Sequence, residues 1–90
     1  MIVYLYATRN KKSGAYSKVT GEALEKERAT ESYARAAMEA SDESKLLLQE
    51  LELYYLGTYD DKTGSICPVT PEFLLDLGSV IHGGESKEAE

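Results

Sequence analysis

The chain has 90 residues, 42% of them apolar, and a net charge of −6. That is one small domain with no apolar run near the ~18–20 residues of a membrane span. An acidic whole also argues against sequence-blind binding to nucleic acid, which phosphate neutralisation drives.

Residues 2–8 (IVYLYAT) are β-branched and aromatic, with apolar side chains at both parities, which predicts a central strand. The polar turn RNKKSG follows, closed by Gly14, which can take positive φ without steric cost. Residues 15–20 (AYSKVT) alternate and read as a half-exposed edge strand. After a connection over 21–26, Ala29, Tyr33, Ala36, Ala37 and Ala40 form one helical stripe, with Glu31 and Arg35 paired on the outer side. Ser41 and Asp42 mark a break and a new N-cap, predicting a short helix over 42–50 that buries Leu46, Leu47 and Leu48. Residues 52–59 (ELYYLGTY) are the third strand; Leu53 and Tyr55 point one way, Tyr54 and Leu56 the other. Residues 60–64 are a second turn and 65–67 a fourth strand, which Pro68 ends and places at an edge. Thr70, Pro71 and Glu72 predict a helix start, with Phe73, Leu74, Leu77 and Ile81 as its apolar stripe. The rest, 82–90, has nothing to bury and is expected to be a flexible acidic tail.

Residues 4–24 and 54–74 are two versions of one phrase. They share Tyr4/Tyr54, Thr8/Thr58, Lys12/Lys62, Gly14/Gly64, Val19/Val69, Thr20/Thr70, Glu22/Glu72 and Leu24/Leu74. The expected fold is therefore α+β over residues 1–81. It is a four-stranded antiparallel sheet built from two β-hairpins, a ββα-ββα pseudo-repeat with helices packed on one face. Strands one and three should lie inside, two and four outside.

The charge is lopsided. Residues 1–21 carry +4 and the remainder −10. Arg9, Lys11, Lys12 and Lys18 interleave with Tyr6 and Tyr16, the ingredients of a single-strand surface on which cations follow phosphates and rings stack on bases. The plainer reading is that the lysines blunt an exposed edge and turn while the tyrosines are core. Seven tyrosines with no tryptophan suit either an interface or a thin core; Tyr54 and Tyr55, on opposite faces, cannot both be inside. Asp60, Asp61 and Thr63 lack the spaced ligands of a calcium loop, and a plain turn is favoured.

Cys67 and His82 are single members of their types, so no Cys-His, Ser-His-Asp or metal set is evident. The chain is expected to be nonenzymatic, with no cofactor and no metal. A lone cysteine cannot form an internal disulfide, and the apolar N-terminal stretch precedes its positive charges, the reverse of a secretory signal. A cytoplasmic setting, with no membrane partner, is the expectation.

Residues 29–64 resemble the small nonstructural protein of gokushovirus-type microviruses, phages with circular single-stranded DNA, and with the opening Tyr4/Tyr6 strand the likeness covers about residues 1–70. That family carries an aromatic–x–Arg–Ala helix, a leucine stretch and an L-Y-x-L-G-x-Y-D-x-x-T-G hairpin. Tyr33, Arg35, Ala36, Leu46, Leu47, Leu53, Tyr54, Leu56, Gly57, Tyr59, Asp60, Thr63 and Gly64 stand in those places. Thr30 and Glu31 stand where the family has an arginine, and Glu50 departs from its approach to the third strand.

The resemblance implies an early accessory protein acting in genome replication or single-strand synthesis in the host cytoplasm. Single-stranded DNA binding through Arg9, Lys11, Lys12, Lys18, Tyr6 and Tyr16 is the leading expectation. The alternative is an interaction module that binds a host or phage protein, or forms a homo-oligomer, through an edge strand or the Tyr54/Tyr55 surface.

Overall fold

The structure, a computed structural model, describes residues 1–83. The chain runs β1 (Ile2–Asn10), β2 (Thr20–Glu22), α1 (Lys26–Glu39), α2 (Asp42–Leu48), β3 (Leu51–Asp60), β4 (Ser65–Asp76) and α3 (Leu77–Ile81). The strands form one antiparallel sheet in the order β2-β1-β3-β4, so the fold is α+β with the expected inner pair. Of the expected tail, residues 84–90 lie outside the described residues.

The repeated phrase is realised most faithfully at the two turns. Asn10 Oδ1 accepts from the Lys12 amide, and Asp60 Oδ1 accepts from the Lys62 amide. The Gly14 amide donates to the Asn10 carbonyl at 2.7 Å, and that of Gly64 to the Asp60 carbonyl at 2.8 Å. Both glycines sit at positive φ, 77° and 78°. The Ser13 and Thr63 hydroxyls each accept from the amide two residues on. These side chains bend the backbone locally, which is why they recur at equivalent places.

After its turn the first hairpin departs from expectation. The strand expected over 15–20 is reduced to an Arg9–Tyr16 bridge, and the ladder resumes only at Thr20. The Ser17 hydroxyl explains the gap: it accepts from the Thr8 amide at 3.0 Å, standing in for a backbone carbonyl.

The second departure is larger. No helix begins at Thr70; β4 continues through Pro68 and Pro71 to Asp76. Proline's fixed φ suits an extended edge as well as a first helical turn. The cap is instead Asp76, whose Oδ1 accepts from the Gly78 and Ser79 amides, leaving α3 five residues long. Phe73 and Leu74 therefore belong to the sheet, and only Leu77 and Ile81 of the expected stripe are helical.

The core lies between the sheet and the helices. Tyr6, Ala29 and Leu53 are fully buried, with Tyr4, Leu24, Tyr33, Tyr55, Leu74 and Leu75 packed around them. Ala29 and Ala37 let α1 approach closely, as its stripe predicts, but Ala36 is exposed. Ser41 caps α2 by accepting from the Ser44 amide at 3.2 Å. The expected burial of Leu46 and Leu47 is not found: they are 65% and 75% exposed. The reason is length, because α2 is two turns at the rim and only Lys45 and Leu48 turn part of their surface inward.

Gly57 marks where β4 crosses closest to β3. Its φ is +133°, and an added Cβ would collide with the Cys67 carbonyl oxygen and stand 2.9 Å from Pro68 Cα. At Gly64 (φ +78°) a Cβ would meet open space. Gly64→Ala should cost about 1–2 kcal/mol, the left-handed backbone penalty alone. Gly57→Ala should cost more than ~3 kcal/mol, because a collision adds to the strain. Urea denaturation of the two variants side by side checks the order.

Candidate interaction surface

The register assigns the paired strand side chains to a face. Toward the helices lie the cross-strand sets Glu22–Tyr4–Thr58–Cys67 and Thr20–Tyr6–Tyr55–Glu72. Away from them lie Val3–Tyr59–Ile66, Leu5–Gly57–Pro68, Ala7–Tyr54–Phe73 and Arg9–Glu52–Asp76. Three of those four rows are apolar or aromatic, and among the described residues no helix covers them.

An aromatic run crosses this free face. The Tyr16 and Tyr54 ring centroids are 5.5 Å apart at 71°, and those of Tyr54 and Phe73 are 5.9 Å apart at 76°. Both contacts are edge-to-face, the arrangement that aromatic quadrupoles favour. Tyr16 is 46% exposed, Phe73 52% and Ile66 61%. The Tyr54 hydroxyl donates to Glu52 Oε1 at 3.4 Å, and desolvation, then the Glu52 charge, pushes its pKa up.

The sequence-predicted residues separate. Tyr16 is on the free face, with the Arg9 guanidinium 5.9 Å over its ring. Tyr6 is not available to any ligand: it is fully buried and its hydroxyl donates to the Leu24 carbonyl at 2.6 Å. Of the expected Tyr54/Tyr55 surface, only Tyr54 faces away from the helices. Tyr55 contacts the Tyr6 ring and lies beneath the Lys26 ammonium.

Three of the four cations are met by carboxylates. Arg9 approaches Glu52 at 3.6 Å, Lys11 meets Asp76 at 2.9 Å, and Lys12 meets Glu50 at 3.1 Å. Lys18 is exposed and without an ion pair among the described residues. Lys11, Lys12, Glu50 and Asp76 also line a cleft of about 550 Å³ with Gln49, Gly78, Ser79 and His82. His82 Nε2 there contacts Gln49 Oε1 at 3.2 Å. Cys67 is exposed on β4 opposite Thr58, nine positions along that strand from Asp76. No group of three potential metal ligands occurs among the described residues. Asp60 serves its turn, and Asp61 pairs with the N-terminal ammonium at 2.9 Å.

Phe73 is the residue that sequence reasoning missed, because Thr70, Pro71 and Glu72 imitate a helix start. The competing signal was Asp76 followed by Gly78 and Ser79, a second cap six residues on.

The family described as Phage ORF5 protein matches residues 3–80. The chain belongs to this phage protein family. No curated protein and no solved structure is detectably similar to it. No helix among the described residues is long and apolar enough to cross a membrane.

Burial drives the Tyr6 hydroxyl from its ordinary value of 10.0 up to about 12, with Tyr55 and Glu22 adding to it. The unfolded chain then ionises this group near pH 10 and the folded chain near 12. The stability involved is complete below pH ~10 and is lost as the pH rises toward 12. Tyr6→Phe should start lower, lacking the bond to Leu24, but should lose melting temperature less steeply over that window. Thermal melts at intervals from pH 8 to 12 measure the difference in slope.

Proposed function

We propose that this chain is a nonenzymatic accessory protein of a gokushovirus-type phage, working in the host cytoplasm by binding a host or phage protein through its free sheet face. The observation that carries this reading is the Tyr16–Tyr54–Phe73 run, half-exposed at Tyr16 and Phe73, on a face that no helix among the described residues covers. Aromatic side chains in a desolvatable patch are the usual anchors of a protein interface.

Two features favour a protein over DNA. A strand of phosphates would have to displace Glu52, Asp76 and Glu50 from the basic loop, and those carboxylates would stay nearby to repel it. The rings also stand nearly perpendicular to one another, whereas successive bases stack on separately presented ring faces.

Single-stranded DNA is the second reading. It is favoured by the cation over Tyr16 and by Lys18, and fits a role in producing the single-stranded genome.

Pull-down from infected cells, with and without nuclease, separates the two readings. Under the first, a partner survives nuclease and is lost with Phe73→Ser. Anisotropy of labelled single-stranded DNA over a salt series is the second arm, each phosphate contact adding about −0.7 to the log–log slope. Nuclease-sensitive capture, with a steep slope that Lys18→Glu makes shallower by about 0.7 or more, would transfer the function to DNA. Recovery of neither ligand would defeat both readings.

A further inference from the structure

We propose that the free sheet face takes a second copy of this chain, forming a face-to-face dimer with the two sheets inside and the helices outside. This deepens the protein-binding reading above and rests on it. The argument is electrostatic. Two copies of a chain with net charge −6 repel unless they meet where that charge is absent. The free face is such a place. Its outer row and the adjoining loop carry Arg9, Lys11 and Lys12 against Glu52, Asp76 and Glu50, three charges of each sign already drawn together. The other three rows are uncharged.

The acidic excess lies elsewhere. From Glu22 to Lys45, seven carboxylates face four bases, which places half of the net −6 on the segment that holds α1 and the charged part of α2. Sheets pack about 10 Å apart. In the dimer the helical layers lie beyond both sheets, so their separation exceeds the ~8 Å over which salt screens charge. Any arrangement that brings α1 or α2 to the interface forfeits that separation.

Shape agrees with charge. Phe73 and Ile66 stand out at one edge of the face, while Gly57 leaves the Leu5–Gly57–Pro68 row low between its neighbours. A two-fold operation sets raised residues of one copy over the low row of the other, which is how an isologous interface matches itself. Three strands at ~4.8 Å and seven residues at ~3.3 Å give a footprint of roughly 330 Å² per copy. That is modest beside the ~800 Å² per partner of standard interfaces, so the dimer should be reversible rather than permanent.

Sedimentation equilibrium of the full chain from roughly 1 μM to 1 mM, with the thiol kept reduced, tests this over the range where a modest interface dissociates. The expected result is a monomer–dimer equilibrium whose dissociation constant does not rise when salt increases from ~0.15 M to ~1 M. Ile66→Asp changes an already exposed position and leaves the aromatic run intact; it should weaken dimerisation at least tenfold, as should Phe73→Ser. Circular dichroism verifies that both remain folded. Leu46→Ser with Leu47→Ser, which removes the exposed pair on α2, should leave the equilibrium unchanged.

A chain monomeric at every concentration, or a dimer indifferent to Ile66→Asp and Phe73→Ser, overturns the proposal. So does a dimer abolished by the α2 changes. If the chain is monomeric but Phe73→Ser still loses a nuclease-resistant partner, the face reading stands and only its occupant is wrong.

Discussion

The buried side chain of Tyr6 is where the parts of this molecule meet. Its ring contacts Tyr55 on the neighbouring strand and Tyr33 on α1, and its hydroxyl holds the carbonyl of Leu24 in the connection that turns the chain toward that helix. The sheet thereby becomes two-sided in character. Everything at the parity of Tyr6 in β1 is drawn toward the helices, and the opposite parity is left on the face without helices, where Val3 and Leu5 are half-buried and Ala7 is buried. The bare face is thus a direct result of where this one side chain is fixed. A single-layer sheet covered on one side would ordinarily be polar on the other. Here the uncovered side holds Val3, Leu5, Tyr54 and Phe73, and that departure is what calls for a partner.

Much of this was legible in the sequence, because the repeat states each turn twice. Asn10 and Asp60, Ser13 and Thr63, Gly14 and Gly64 each perform one local act that depends on few neighbours. The inner position of the first strand followed equally from its apolar residues at both parities. The fourth strand was legible in its start at Ser65 and its edge position, but not in its continuation from Pro68 to Asp76, because proline and threonine serve a strand edge and a helix start alike. The choice was made by tertiary contacts: Leu75 opposite Leu53 and Phe73 opposite Tyr54 reward the extended form. The fate of Leu46 and Leu47 was hidden for a related reason. A run of leucines announces burial, but whether a two-turn helix reaches the core depends on the chain around it.

The electrostatic division shows a different limit. The sequence separates a basic beginning from an acidic remainder, and that separation is real along the chain. Folding reverses it in space. The antiparallel pairing of β1 with β3 sets Arg9 against Glu52, and the close of β4 brings Asp76 to Lys11. Exposed pairs like these contribute little to stability. Their effect is to cancel the field that would have drawn phosphates. Charge counted along a chain predicts a surface only when the topology keeps like charges together.

The two prolines in β4 have a last consequence. Strand-by-strand accretion needs an uninterrupted row of amide donors, and Pro68 and Pro71 remove two from one border of the sheet. The opposite border is β2, only three residues long. Neither border offers a template for fibril growth. A protein with so much uncovered apolar surface would otherwise be prone to polymerise, and the placement of these prolines steers it toward small, closed assemblies that stay in solution.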